Sequence, residues 1–306
     1  MMGMLGSRNT IKYIQIQGSS LCDGKCKICP YAHSPVSQLK RTMSIDEFMF
    51  IIQRLREAKL QPYKICLYLM SDSFFDKHLI ERIEITHQYF PNTLIEVSSA
   101  LGAGNPNFFK RLIQTLSNKM HEIWISIHGI NKETYSELCG RDFETVRKRA
   151  IDLLAAGGEI CKFKFVGCGC SKDGKLKFFT ANQYKSFIYS LVKEADLQQV
   201  HNIEVSYIPF HNRAGEVEYW DWQFQREINV FRPHFCSRPF EWLHILADGR
   251  VISCCMNYAL DQVWGNLFEQ SLEEIWQGEK RKSYISRQLG LEQGEIPCKY
   301  CMSPGG

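Results

Sequence analysis

Between residues 11 and 206, short β-branched or aromatic runs alternate with longer amphipathic stretches, and this rhythm restricts the fold more than any other feature. It predicts strands over 11–17, 63–69, 93–98, 122–127, 160–166 and 201–208, with helices over 44–58, 77–89, 106–117, 144–156 and 180–195. The clearest helix opens on Ser44 and Glu47 in a capping-box pattern and carries Phe48, Ile51, Ile52 and Leu55 as an apolar stripe. Six strands linked by crossover helices imply a parallel α/β architecture, either a barrel or a doubly wound sheet. After about Gly215 the rhythm breaks: residues 218–222 are aromatic and acidic, and no further βα unit follows. Two domains are therefore expected, 1–225 and 226–306.

Directly after the first predicted strand stand Cys22, Cys26 and Cys29, spaced Cys-x3-Cys-x2-Cys. That position is the C-terminal end of the strands, where barrel active sites are built. Three thiolates on one loop hold three irons of a cubane cluster and leave the fourth iron open. Zinc also takes clustered thiolates, but it normally wants four closed ligands with pairs spaced Cys-x2-4-Cys. A disulfide framework does not suit a chain of this size without a signal-peptide core. The thirteen cysteines instead suit thiolate chemistry in a reducing compartment, and a cytoplasmic location is expected. A net charge of +4 gives no argument for nucleic acid, and no apolar run approaches membrane-spanning length.

A second group, Cys236, Cys254, Cys255, Cys298 and Cys301, occupies the last quarter. Asp248-Gly249 marks a hairpin turn that carries Cys254 back toward Cys236, and Ser271 with Glu274 opens a helix through Trp276. Four thiolates arranged as one, one and a Cys-x2-Cys pair suit either zinc or a cubane cluster.

The first loop resembles the signature of the radical S-adenosylmethionine (radical SAM) enzymes. The last quarter resembles their SPASM/twitch module in the frame Cys236-x2-Pro239, Asp248-Gly249-x-Val251-x2-Cys254, Gly265-Asn266, Ile275-Trp276 and Cys298-x2-Cys301. The resemblance covers nearly the whole chain. It implies a partial (β/α)6 TIM-type barrel followed by a small α+β module with one auxiliary [4Fe-4S] cluster on Cys236, Cys254, Cys298 and Cys301. Full SPASM modules need further cysteines, so the shorter twitch form is the nearer likeness. It also implies that Cys22, Cys26 and Cys29 hold a [4Fe-4S] cluster whose open iron chelates SAM. Reduction by a flavodoxin- or ferredoxin-type donor then splits SAM to methionine and a 5′-deoxyadenosyl radical, which takes a hydrogen atom from substrate.

The family usually carries a Gly-Gly-Glu-Pro-type motif after the second strand. Here Met70-Ser71-Asp72-Ser73 lacks both glycines and the proline, and Asp72 stands where Glu is expected or serves only as a cap. Ser98, Ser126 and Arg141 occupy the remaining positions at which relatives contact SAM, Arg141 facing its carboxylate. For substrate chemistry the candidates are His211, Arg213 and Cys255. His128 is a further possible base, and Cys168 and Cys170 are further thiols. Cys255 lies beside the expected ligand Cys254 and corresponds to a hydrogen-atom donor in some relatives.

The expected function is oxidation or epimerisation of a small polar metabolite of sugar or aminocyclitol type, the layout being similar to family members that oxidise an aminocyclitol hydroxyl. The first strand begins close to residue 1, which leaves no room for a peptide-recognition domain before it. Modification of a ribosomally made peptide is the alternative within the family. A noncatalytic iron–sulfur or zinc protein is the alternative outside it, favoured only by the missing Gly-Gly-Glu-Pro pattern.

Overall fold

All six predicted strands form, each shortened or shifted at its ends: β1 (Tyr13–Ile16), β2 (Lys64–Cys66), β3 (Leu94–Ser99), β4 (His121–Ser126), β5 (Phe163–Gly167) and β6 (Ile203–Tyr207). They pair in parallel in sequence order. This computed structural model describes residues 10–170, 177–198, 201–217, 236–299 and 301. The boundary expected at 225/226 and the aromatic, acidic stretch 218–222 lie outside the described residues.

The crossover helices are α2 (Ile45–Glu57), α3 (Leu79–Tyr89), α4 (Pro106–Leu116), α6 (Phe143–Gly157) and α7 (Ala181–Glu194). Two short helices were not anticipated, α1 (Pro35–Gln38) and α5 (Lys132–Cys139). Local chemistry sets the starts. Ser44 with Glu47, Asn131 with Thr134 and Thr180 with Gln183 close capping boxes, while Asn105 and Asp142 cap α4 and α6. The apolar stripe Phe48, Ile51, Ile52 and Leu55 packs on the sheet face that carries Ile14, Ile16, Ile65, Ile95, Val97, Ile123 and Ile125, all fully buried.

The opposite sheet face is polar, and strand register aligns its residues. Glu122, Glu96, Cys66, Gln15 and His244 form one row across five neighbouring strands. Lys64 joins the carboxylates of Glu96 (2.5 Å) and Glu122 (3.2 Å), the Tyr68 hydroxyl donates to Glu96, and His244 Nδ1 meets Gln15 Oε1 at 2.9 Å.

The C-terminal region does not stand apart from the barrel sheet. After α8 (Arg238–Glu241), strand β7 (Trp242–Ile245) adds in parallel to the free edge of β1, from Tyr13↔Trp242 to Ile16↔Ile245. The hairpin turn at Asp248-Gly249 leads to β8 (Arg250–Ile252), and β9 (Val263–Asn266) follows antiparallel. One nine-stranded sheet results, ordered β6-β5-β4-β3-β2-β1-β7-β8-β9. Helices α9 (Leu272–Trp276) and α10 (Glu279–Gln288) complete the region. Among the described residues no helix is long and apolar enough to cross a membrane.

One buried ion pair fixes the exit from β1. Arg82 on α3 and Asp76 are almost fully buried and meet at 2.7 Å. The guanidinium also donates to the carbonyls of Gly18, Met43 and Ser44. Gly18 has no room for a side chain, because a Cβ there would lie 2.1 Å from Asp76 Oδ2 and 2.7 Å from Arg82 Nε. Removing one partner leaves a buried charge uncompensated, which costs about 3–5 kcal/mol. Asp76→Ala should lower the unfolding free energy by about that amount in urea denaturation, whereas exposed Glu57→Ala should change it little.

Candidate active site and metal centres

The chain leaving β1 runs through Gly18 to Cys22, and Tyr31 holds it in place. The Tyr31 hydroxyl donates to Ser20 O (2.7 Å) and accepts from Cys22 N (3.0 Å). Ser20 N pairs with Arg41 O at 2.8 Å, and Asp72 N reaches Leu21 O at 3.3 Å. The far side of the loop rests on the end of α5. There Lys27 N donates to Leu138 O (3.0 Å), Lys27 Nζ meets Glu137 at 2.6 Å, and the Cys139 thiol is close enough to Cys26 to influence it.

Arg141 lies just beyond α5 with its side chain only 8% exposed. It meets Asp23 at 2.5 Å and Cys22 Sγ at 3.6 Å, while its Nε and Nη1 are buried without a hydrogen-bond partner. A Cβ on Gly24 would come within 2.9 Å of Arg141 Nη2, 3.1 Å of Cys22 Sγ and 3.6 Å of Cys26 Sγ. Two thiols and a guanidinium with unused donors therefore converge on a residue without a side chain. Cys29 lines one cavity with Cys26, its sulfur 3.6 Å from the Tyr258 hydroxyl.

Every cysteine is a free thiol. Among the described residues no three His, Cys, Asp or Glu side chains gather as one metal ion requires. The fit to an iron–sulfur cluster rests instead on the donor set: three unbridged thiols on one loop, a glycine where a side chain would crowd two of them, and an unsatisfied buried cation beside them.

Asp72 is buried and capped. Its Oδ1 accepts from Phe74 N (2.9 Å) and its Oδ2 from Ala100 N (3.0 Å), tying the 3-10 turn Ser73–Phe75 to the end of β3. Burial raises its pKa against the pull of these N–H groups. Cys22 is pushed up to about 12, mainly by burial, with the Asp72 carboxylate adding to the effect. Ser98 and Ser126 are half-buried at the C-terminal ends of β3 and β4, and Ser98 N donates to Ser73 Oγ at 3.0 Å.

His128, just past β4, sets Nδ1 3.2 Å from Cys168 Sγ, just past β5. Burial lowers the imidazole to about 3 and raises the thiol to about 12, so both are neutral at physiological pH. After β6 the chain turns through His211, whose Nδ1 accepts from Arg213 N at 2.8 Å. Arg213 and Ala214 both take left-handed backbone, φ 50° and 59°, a costly conformation for residues with a Cβ. The Arg213 side chain lies 3.9 Å from Met256 Sδ and is close enough to Tyr258, Cys29, Cys168 and Cys255 to feel each of them.

The second cysteine group surrounds this turn. Cys254 and Cys301 pack with Ala214 and Met256. Tyr284 sits 3.2 Å from Cys298 Sγ and is also close enough to Cys254 to be influenced by it. Arg238 lies 3.6 Å from Cys255 Sγ and also feels Cys254 and Cys236. Cys255 is drawn down to about 6 by the hydrogen bond from Cys254, with the Arg238 charge acting in the same direction. Unlike Cys254, Cys255 also packs against the apolar cluster that holds Cys22 and Cys29. Tyr258, Arg238 and Cys139 escaped the sequence reading because nothing in their local pattern marks them.

Residues 236–302 match the SPASM iron–sulfur cluster-binding domain. Among solved structures, BtrN in complex with AdoMet and 2-DOIA superposes with a TM-score of 0.59 at 14% identity, over 96% of this chain and 93% of that one. SuiB of Streptococcus suis, bound to its precursor peptide SuiA, gives 0.62 at 12% identity, over 89% of this chain and 65% of that one. The anSMEcpe structure with bound AdoMet gives 0.60 at 14% identity, over 95% and 86%. The fold is that of the radical SAM enzymes with a SPASM-type C-terminal module. No curated protein matches the sequence.

The different surroundings of Cys254 and Cys255 are directly testable. After anaerobic reconstitution, Cys254→Ser should lose about half of the bound iron, about four of eight atoms, whereas Cys255→Ser should keep it. Iron and sulfide analysis reads both.

Proposed function

We propose that this chain is a radical SAM enzyme acting on a C–H bond of a small polar metabolite, oxidising or epimerising it. The observation that carries the reading is the convergence of Cys22, Cys26 and the buried, partly unsatisfied Arg141 on Gly24, at the C-terminal end of β1. In this reading Cys22, Cys26 and Cys29 hold the SAM-binding [4Fe-4S] cluster, and Cys236, Cys254, Cys298 and Cys301 hold an auxiliary one. When bound, the first cluster and SAM supply a reductively generated 5′-deoxyadenosyl radical, with electrons from a flavodoxin- or ferredoxin-type donor.

The chain's own residues then bind and orient. Arg141 offers Nε and Nη1 to an anionic group, which suits the carboxylate of SAM. Asp72, its two oxygens already receiving N–H groups, holds the β2 and β3 loops together and presents negative charge near Cys22. Ser98 and Ser126 line the same strand ends with their hydroxyls. Arg213 places positive charge among Cys29, Cys168 and Cys255, where it orients a polar substrate. His211 is the proposed proton acceptor, and Cys255 the proposed source of a hydrogen atom if the product is an epimer.

A small polar substrate suits the charged groups at the strand ends, Arg141 with two unused donors and Arg213 beside His211. A ribosomally made peptide is the second reading. It is favoured by the fold shared with SuiB, solved with a precursor peptide, and with anSMEcpe, solved with the Cp18Cys peptide.

The triple variant Cys22→Ala/Cys26→Ala/Cys29→Ala should abolish 5′-deoxyadenosine formation from SAM under reducing conditions while retaining about four irons. Chromatography of the nucleoside products together with iron analysis reads this. Undiminished 5′-deoxyadenosine from that variant would sink the assignment.

A further inference from the structure

Tyr258 belongs to the C-terminal region, four residues after Cys254, yet its hydroxyl stands 3.6 Å from Cys29 Sγ in the N-terminal loop. It is 6% exposed and lies in an apolar cluster with Tyr31, Leu69 and Met70, against which Cys22, Cys29 and Cys255 pack. A buried phenol usually finds a hydrogen-bond partner, and among the described residues this hydroxyl has Cys29 alone.

The direction of that bond follows from the chemistry of the sulfur. A thiolate bound to iron has no proton and can only accept, so the Tyr258 O–H must donate. Hydrogen bonds to cluster sulfurs help set reduction potential, because they favour the more negative, reduced state. The Arg213 guanidinium, close to both Tyr258 and Cys29, pushes in the same direction.

We infer that Tyr258 is a positioning residue through which the C-terminal module raises the reduction potential of the cluster held by Cys22, Cys26 and Cys29. The inference rests on the proposed function. It assigns the module a second task, tuning a centre that it does not ligate.

Tyr258→Phe keeps the ring in its pocket and removes only the hydroxyl. The test is an EPR-monitored redox titration of the reconstituted full chain, following the cluster signal that is missing from the Cys22→Ala/Cys26→Ala/Cys29→Ala protein. At the wild-type midpoint potential, Tyr258→Phe should lower the reduced-to-oxidised ratio of this cluster about tenfold, equivalent to about 59 mV for a one-electron couple. Its iron and sulfide content should match wild type, which separates tuning from loss of structure. An unchanged midpoint with an intact cluster overturns the inference and leaves the proposed function standing. Absence of such a signal from the wild-type chain overturns both.

Discussion

The site depends first on a charge placed where water cannot reach it. Arg82 is fully buried, and its guanidinium is satisfied by Asp76 and by carbonyls from two separate stretches of chain. It clamps the exit from β1 to the loop after β2, the two segments that carry Cys22 and Asp72. A charge buried without such partners would destabilise the fold severely, so the clamp forms whole or not at all. Its placement fixes where the cysteine loop starts, and Tyr31 and the end of α5 fix where it goes.

Much of this architecture was legible in the sequence because local rules wrote it. Alternation located the six parallel strands. The Ser44–Glu47 and Ser271–Glu274 boxes marked their helices, and Asp248-Gly249 marked its hairpin. The eight residues of α5 escaped notice, although Asn131 and Thr134 encode its cap, because so short a stretch offers little periodicity to read. The pairing of β7 with β1 was invisible for a different reason. Edge pairing across more than two hundred residues leaves no local trace in either strand.

The candidate site was legible in the sequence only as two groups of cysteines and a few residues at strand ends. Cysteine spacing separates the two thiol groups, and the structure adds the neighbours that spacing cannot supply. Arg238 stands beside Cys255, Tyr284 beside Cys298, Cys139 beside Cys26, and His128 beside Cys168. Asp72 shows the limit of motif reading. Its position matches the expected acid, yet its oxygens are engaged by Phe74 N and Ala100 N, so capping is part of what it does whatever else it contacts.

The junction of β7 with β1 has a mechanical consequence. Four registered residue pairs lock β7 to β1 at the usual spacing of about 4.8 Å, so the loop of Cys22, Cys26 and Cys29, which leaves β1, and Cys254 and Cys255, which follow β8 two strands away, hang from one sheet. A hydrogen-bonded sheet resists shear far better than a linker resists bending. The strand ends from which these loops leave are therefore held at a set distance, like two posts set in one beam. Tyr258, Arg213 and Cys255 lie where the two groups meet, so a substitution at any of them is felt on both sides of the junction.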